Sequence, residues 1–200
     1  MRPRPDLTAH AREIAPFLLG SLLTSRVGGV PVTVRITEVE AYGGVGEDPG
    51  SHAFRRETPR NATMFGPPGR AYVYFTYGMH WCLNVVTGPT GSAGAVLLRA
   101  GEVVAGVDVA RERRILARSD RDLARGPARL TSALGVTGER DGLDLFAARS
   151  VLRLMLTEPA SDANIGVSAR TGVGGAGAGT PWRFFLLGEP SVSLYRRASR

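Results

Sequence analysis

The chain of 200 residues contains no lysine: all 25 basic residues are arginine. That excludes any chemistry needing a side-chain amine, including a lysine Schiff base. Cysteine is nearly absent as well. Cys82 stands alone, so neither an internal disulfide nor a paired-cysteine metal knuckle is available. Three histidines, His10, His52 and His80, are too few for a histidine-rich zinc site, and the expectation is that no metal or cofactor is used. No apolar run approaches the ~20 residues of a membrane-spanning helix; Phe17-Leu18-Leu19 is interrupted at once by Gly20-Ser21. The opening Met1-Arg2-Pro3-Arg4-Pro5-Asp6 leads into no apolar signal core, and the expected address is cytoplasmic. A GxSxG nucleophile elbow is missing, which argues against an esterase or related hydrolase.

The length suits one domain able to bury a full core without staples. The net charge of +7 points to a polyanionic partner. The arginine excess accompanies abundant alanine, glycine and proline, a composition that a coding bias also produces, so it is no proof of phosphate contacts.

Residues 1–6 read as a flexible arginine/proline tail. Apolar spacing predicts a helix over 7–23, ended by Gly28-Gly29. Residues 32–42 alternate as a strand, with Val32, Val34 and Ile36 on one face. By parity Glu38 and Glu40 fall on that same face, either cleft-facing or where the strand frays into solvent. Turn signals crowd residues 43–68, a loop long enough to suggest function. Two aromatic strands follow, 72–75 and 81–86, with Gly78 as the hairpin turn and Tyr77 at its tip. Tyr72 and Tyr74 share one face, Val73 and Phe75 the other. A further strand covers 93–100. Residues 104–125 read as a helix whose Arg111, Arg114, Arg118, Arg121 and Arg125 form one basic stripe, either a solvated face or a phosphate-tracking one. Gly126-Pro127 starts another helix, 128–134. Strands are expected at 151–156, 182–187 and 191–195. The glycine-dense 171–179 reads as a mobile loop; without a lysine it is no phosphate loop.

Glu40, Tyr42, His52, Tyr74 and Tyr77 together would suit a flat, electron-poor ring held between aromatic faces beside a carboxylate. A cationic ring gains ~0.5–2 kcal/mol over such faces. Taken singly, the tyrosines fit an ordinary core and His52 an ordinary loop.

These residues carry a resemblance. Thr37-Glu38-Val39-Glu40-Ala41-Tyr42, His52, Thr58-Pro59-Arg60-Asn61, Tyr72-Val73-Tyr74, Tyr77-Gly78-Met79, Cys82-Leu83-Asn84 and Leu97-Leu98-Arg99-Ala100 resemble the alkyladenine (3-methyladenine) DNA glycosylase family. Gly126-Pro127-Ala128-Arg129-Leu130 and Trp182-Arg183-Phe184-Phe185 continue the series, which spans about residues 18–195. The resemblance implies an α+β fold, a single compact domain around a curved antiparallel β-sheet, as in the C-terminal domain of methionyl-tRNA formyltransferase. It implies a monofunctional base excision repair enzyme, without lyase activity, that removes alkylated or deaminated purines from double-stranded DNA; a monomer is the default expectation, and the expected location is the bacterial nucleoid. Carried across by position, Glu40 matches the general base and Arg99 the arginine that helps hold the water. Tyr42, His52, Tyr74 and Asn84 match the base pocket, and Tyr77 the side chain that wedges into the duplex. Parity does not separate Glu38 from Glu40; the family register selects Glu40. The Tyr42-to-His52 spacer is slightly longer than usual, and 171–179 replaces a better-defined segment. The alternative function is a non-catalytic nucleic-acid-binding domain on the same scaffold.

Overall fold

Strand β2 is the spine on which the rest is hung. In the computed structural model, which describes residues 5–198, the elements run α1 (Ala11–Leu18), β1 (Leu22–Ser25), β2 (Val32–Tyr42), β3 (Ala71–Thr76), β4 (His80–Val86), β5 (Ala95–Ala105), α2 (Val107–Arg113), α3 (Pro127–Leu134), β6 (Leu152–Met155), β7 (Ile165–Ser168) and β8 (Arg183–Leu186), with short 3₁₀ turns between them. Residues 1–4 of the expected tail lie outside the described residues. The strands order as β3-β4-β5-β2-β1-β6, and the β7–β8 hairpin joins the second half of β2. All of these pairings are antiparallel. The result is one α+β domain built on a curled, half-barrel sheet with three α-helices, as expected.

The apolar alternation that marks β2 also builds the core. Val32, Val34, Ile36, Val39 and Ala41 are fully buried and join Leu18 of α1, Leu98 of β5, and Leu130 and Leu134 of α3 in one cluster. The core face therefore passes from even positions (32, 34, 36) to odd ones (39, 41). Two successive bulges cause the switch. Ile36 and Glu38 oppose Gly101 and Ala100, which leaves Thr37 extra on β2; Glu38 and Val39 oppose Ala100 and Leu98, which leaves Arg99 extra on β5. A bulge adds one residue to one strand and inverts the alternation beyond it. The expected parity is thus corrected: Glu38 and Glu40 lie on the face opposite Val34 and Ile36. Both carboxylates are fully buried, so the strand does not fray there. Close packing at the crossing explains Gly101, where a Cβ would collide with Val34 Cγ1 and the Arg35 carbonyl.

Three further expectations are corrected. The helix over 7–23 is only α1. Pro16 lies near its end, Gly20 takes a left-handed conformation (φ 82°), and β1 follows. The helix over 104–125 is only α2, because Val103 and Ala105 still pair with Val34 and Thr33 of β2, across a bulge at Val104, and keep the chain extended to Ala105; the helix itself ends at Arg113. The five arginines consequently form no single helical stripe. Arg111 pairs with Asp108 and Asp120, Arg114 Nε donates to the Leu123 carbonyl, and Arg125 Nε donates to the Val192 carbonyl. Residues 191–195 form no strand; they run as an irregular strap across β2, with the Thr37 and Ser191 hydroxyls 2.9 Å apart. The hairpin turn at Gly78 and the helix begun by Pro127 stand where the sequence placed them.

A buried ion pair ties the loop after β2 to the segment after β7. Arg170 is wholly buried and grips Asp48 through two bonds of 2.6 Å, with a third from Nη1 to the Ala41 carbonyl. Its guanidinium also stacks on the rings of Tyr42 (4.6 Å) and Trp182 (5.4 Å). Asp48 accepts in addition from the Gly43 and Gly50 amides. Burial alone would raise the Asp48 carboxyl, but the bonds from Arg170 and these amides outweigh it and hold the group below the usual carboxylate range. A carboxyl lowered in this way contributes stability that is present above its unfolded value, about 4, and is lost as pH falls through the folded value. Urea unfolding should therefore show wild-type stability falling below about pH 4. Asp48→Asn should cost about 3–5 kcal/mol at pH 7, the scale for stranding a buried arginine, and flatten that acid dependence.

Candidate active site

The functional side chains collect around a cavity of about 390 Å³, within the range of small-molecule sites (~300–1,000 Å³). The end of β2 supplies Tyr42, the β3–β4 hairpin supplies Tyr72, Tyr74, Tyr77 and Asn84, and β5 supplies Leu97 and Arg99. Further walls include His52 from the long loop, Pro127 and Ala128 opening α3, and residues 171–174.

Glu40 lies directly behind this lining. Its Oε2 accepts from the Tyr42 hydroxyl at 2.8 Å and from Arg99 Nη1 at 3.2 Å. Its Oε1 accepts from the Thr171 amide at 2.6 Å. All three donors line the cavity. Glu38 is differently placed. Its Oε1 accepts from Arg99 Nε (2.8 Å), Arg183 Nε (2.6 Å) and Ser193 Oγ (2.9 Å), and its Oε2 from the Ser193 amide (2.7 Å). The two acids differ in their partners: all three donors to Glu40 line the cavity, whereas Glu38 shares only Arg99 with that wall and is otherwise bonded to Arg183 and the strap.

The aromatic wall follows from strand alternation on β3, which turns Val73 to the main core and Tyr72 and Tyr74 to the cavity side. The Tyr72 and Tyr74 rings lie 5.3 Å apart, and His52 meets Tyr74 edge-on at 4.6 Å. His52 Nδ1 is 3.1 Å from the Tyr72 hydroxyl. Partial burial, aided by the nearby Arg60 charge, holds His52 below its ordinary value, so it is neutral at pH 7. Burial, reinforced by the Glu40 charge, pushes the Tyr42 hydroxyl well up, so it stays protonated and donates to Glu40. Desolvation likewise raises Tyr72 and Tyr74. The Asn84 amide donates to the Tyr72 carbonyl at 3.0 Å, which fixes the side chain at the cavity floor.

Tyr77 stands at the rim. It is 83% exposed and takes a left-handed backbone (φ 51°), followed by Gly78 at φ 67°. The Met79 amide closes this turn onto the Thr76 carbonyl at 3.2 Å. Two positive φ values match a type I′ turn, but a non-glycine residue held there costs on the order of 1–3 kcal/mol and such strain clusters at functional sites.

The structure thus brings Glu40, Arg99, Tyr42, His52, Tyr74, Asn84 and Tyr77 around one cavity. Sequence reasoning missed three contributors: the Thr171 amide, the Asp48–Arg170 clamp, and the Arg183–Ser193 support of Glu38. A backbone N–H carries no residue signature, and ion pairs separated by more than a hundred positions carry none either. Among the described residues, no group of three or more His, Cys, Asp or Glu side chains is placed to hold a metal ion, and no helix is long and apolar enough to cross a membrane.

Comparison with known proteins agrees with this arrangement. Residues 6–190 match the family model for methylpurine-DNA glycosylase. A protein of Leifsonia xyli named "Putative 3-methyladenine DNA glycosylase" is 52% identical over 200 residues, covering 97% of this chain and 92% of that one. Proteins of the same name from Streptomyces avermitilis (49% identical; 96% of this chain, 94% of that one) and Nocardia farcinica (53%; 98% and 92%) are similar over the same span. Built around a buried carboxylate, an arginine and an aromatic cavity, the chain belongs to the methylpurine-DNA glycosylase family.

Proposed function

We propose that this DNA glycosylase everts alkylated or deaminated purines (the 3-methyladenine, 7-methylguanine, hypoxanthine and ethenoadenine class) from duplex DNA and hydrolyses the N-glycosidic bond with a water activated by Glu40. The observation that supports this most is the Glu40 carboxylate, buried yet bonded to Tyr42, Arg99 and Thr171, all of which line an aromatic cavity.

A purine inside a duplex is out of reach, so it must leave the stack, at a cost of a few kcal/mol that is smaller for a damaged pair. Tyr77, exposed at the hairpin tip, fills the vacated gap. The base enters between Tyr42 and the His52–Tyr74 pair, whose ring faces favour electron-poor purines, while Asn84 restricts what fits at the floor. Water attacks C1′ as the C1′–N bond breaks. The bonding pair leaves with the base, and Glu40 takes the water proton, as a carboxylate does beside other oxocarbenium-like sugars. A purine alkylated at N3 or N7 departs neutral and needs no acid, whereas hypoxanthine needs a proton. The product is an abasic site. The lack of lysine fits water, rather than a side-chain amine, as the nucleophile.

Glu40→Gln should retain affinity for lesion-bearing duplex and lose excision by about 10²-fold or more in single-turnover assays. Wild-type excision by that variant would move the base role elsewhere, and no excision by either protein would favour a purely binding domain. Tyr77→Ala should weaken lesion binding by roughly 5- to 150-fold, from the ~1–3 kcal/mol that stacking contributes per base; unchanged affinity would remove the wedge. Borohydride added during turnover should trap no protein–DNA adduct. A trapped band would instead implicate the terminal amine of Met1.

A further inference from the structure

One buried acid has no part in the reaction just derived. Glu38 is fully buried, and four hydrogen bonds converge on it from Arg99, Arg183 and Ser193. Arg99 is shared: its Nε bonds Glu38 at 2.8 Å, and its Nη1 reaches Glu40 at the longer 3.2 Å. The shorter bond is therefore to Glu38. Arg183 has no bond to Glu40; its remaining nitrogens go to Ser168 Oγ and the Ser193 carbonyl. The four buried charges balance, two carboxylates against two guanidiniums. Ser193 belongs to the strap after β8, whose Arg196 carbonyl accepts from Gly172, the neighbour of the Thr171 amide that holds Glu40. Ser193 Oγ also lies 3.4 Å from Arg99 Nη2.

We propose that Glu38 is a positioning residue for base excision: with Ser193 it fixes the Arg99 guanidinium against Glu40 and balances the buried positive charge there. This rests on the reading of Glu40 as the base. If Glu38 lost its charge, Arg99 would lose its shorter bond, and the two guanidiniums would be left with one buried countercharge fewer, a change that moves the acid limb of the pH–rate profile to lower pH. The other groups facing Glu40 are Tyr42 on its own strand, Tyr74 from β3, Cys82 from β4 and Arg170 from the segment after β7. Arg183 stands opposite Glu40 on β8 but bonds Glu38, and none of the others does, so a change in the pH profile reports on the charge balance that Glu38 keeps with Arg99 and Arg183.

The test is the pH dependence of single-turnover excision from a duplex carrying one 7-methylguanine, with lesion affinity and thermal melting measured in parallel on the full chain. Glu38→Gln should bind within about 3-fold of wild type and excise about 10- to 100-fold more slowly, the scale of a ~1 Å misplacement, with the acid limb of its profile displaced to lower pH. Glu38→Asp, which keeps the charge, should return the limb toward its wild-type position. If Glu38→Gln fails to fold, Ser193→Ala, which removes the hydroxyl shared by Glu38 and Arg99, should move the limb the same way by less. Ser191→Ala loosens the strap without touching Arg99 and should leave the limb in place. A Glu38→Gln profile superposing on wild type would overturn the proposal. So would a rate loss that merely tracks the folded fraction, an unmoved limb in folded Ser193→Ala, or a limb moved as far by Ser191→Ala as by Ser193→Ala. Retained excision by Glu40→Gln in the same assay would show that the underlying base assignment, rather than the role of Glu38, has failed.

Discussion

Two carboxylates buried two positions apart on one strand are the constraint around which the cavity is organised. Removing an isolated carboxylate from water costs several kcal/mol even after relaxation, and a bare pair could not both stay ionised. The fold meets this with Arg99 between them and Arg183 behind Glu38. Amide and hydroxyl donors saturate the oxygens that remain. Burial by itself would raise the Glu38 carboxyl, but the two arginines and Ser193 outweigh it and leave the group below its ordinary value.

That arrangement depends on a departure from regular sheet geometry. The adjacent bulges at Thr37 and Arg99 invert the alternation of β2 and β5 together, so the strands bury Val34 and Ile36 on one side and present Glu38, Glu40 and Arg99 on the other. Without them, strict alternation would drive two carboxylates into the apolar core. Farther along β2, the Asp48–Arg170 clamp holds the next loop against the segment that ends in Thr171, and the Arg170 guanidinium braces the Tyr42 ring. Core packing, loop attachment and the polar floor of the cavity are therefore one mechanical unit.

Much of this was legible where local chemistry and tertiary context agree. The limits of β2, the tip of the β3–β4 hairpin and the start of α3 at Pro127 follow from alternation, a left-handed glycine and a proline at a first turn. The facing of Tyr72 and Tyr74 follows from the same alternation, and the choice of Glu40 over Glu38 rests on the order of the motifs. What failed did so for identifiable reasons. Parity could not register a bulge. The arginine spacing of 111–125 imitated a helix, although pairing with β2 keeps the chain extended to Ala105. Residues 191–195 look like a strand, yet their hydrogen bonds are claimed by Thr37, Glu38, Arg125 and Arg183 rather than by a neighbouring ladder.

The central claim, that Glu40 sits where it can deliver water to the sugar of an everted purine, is tested most directly by a crystal structure of the Glu40→Gln protein with a lesion-bearing duplex. The account predicts the damaged base lodged between Tyr42 and the His52–Tyr74 pair, Tyr77 in the emptied stack, and a water bonded at position 40 about 3–3.5 Å from C1′. A base left stacked in the duplex, or a C1′ far from position 40, would contradict it.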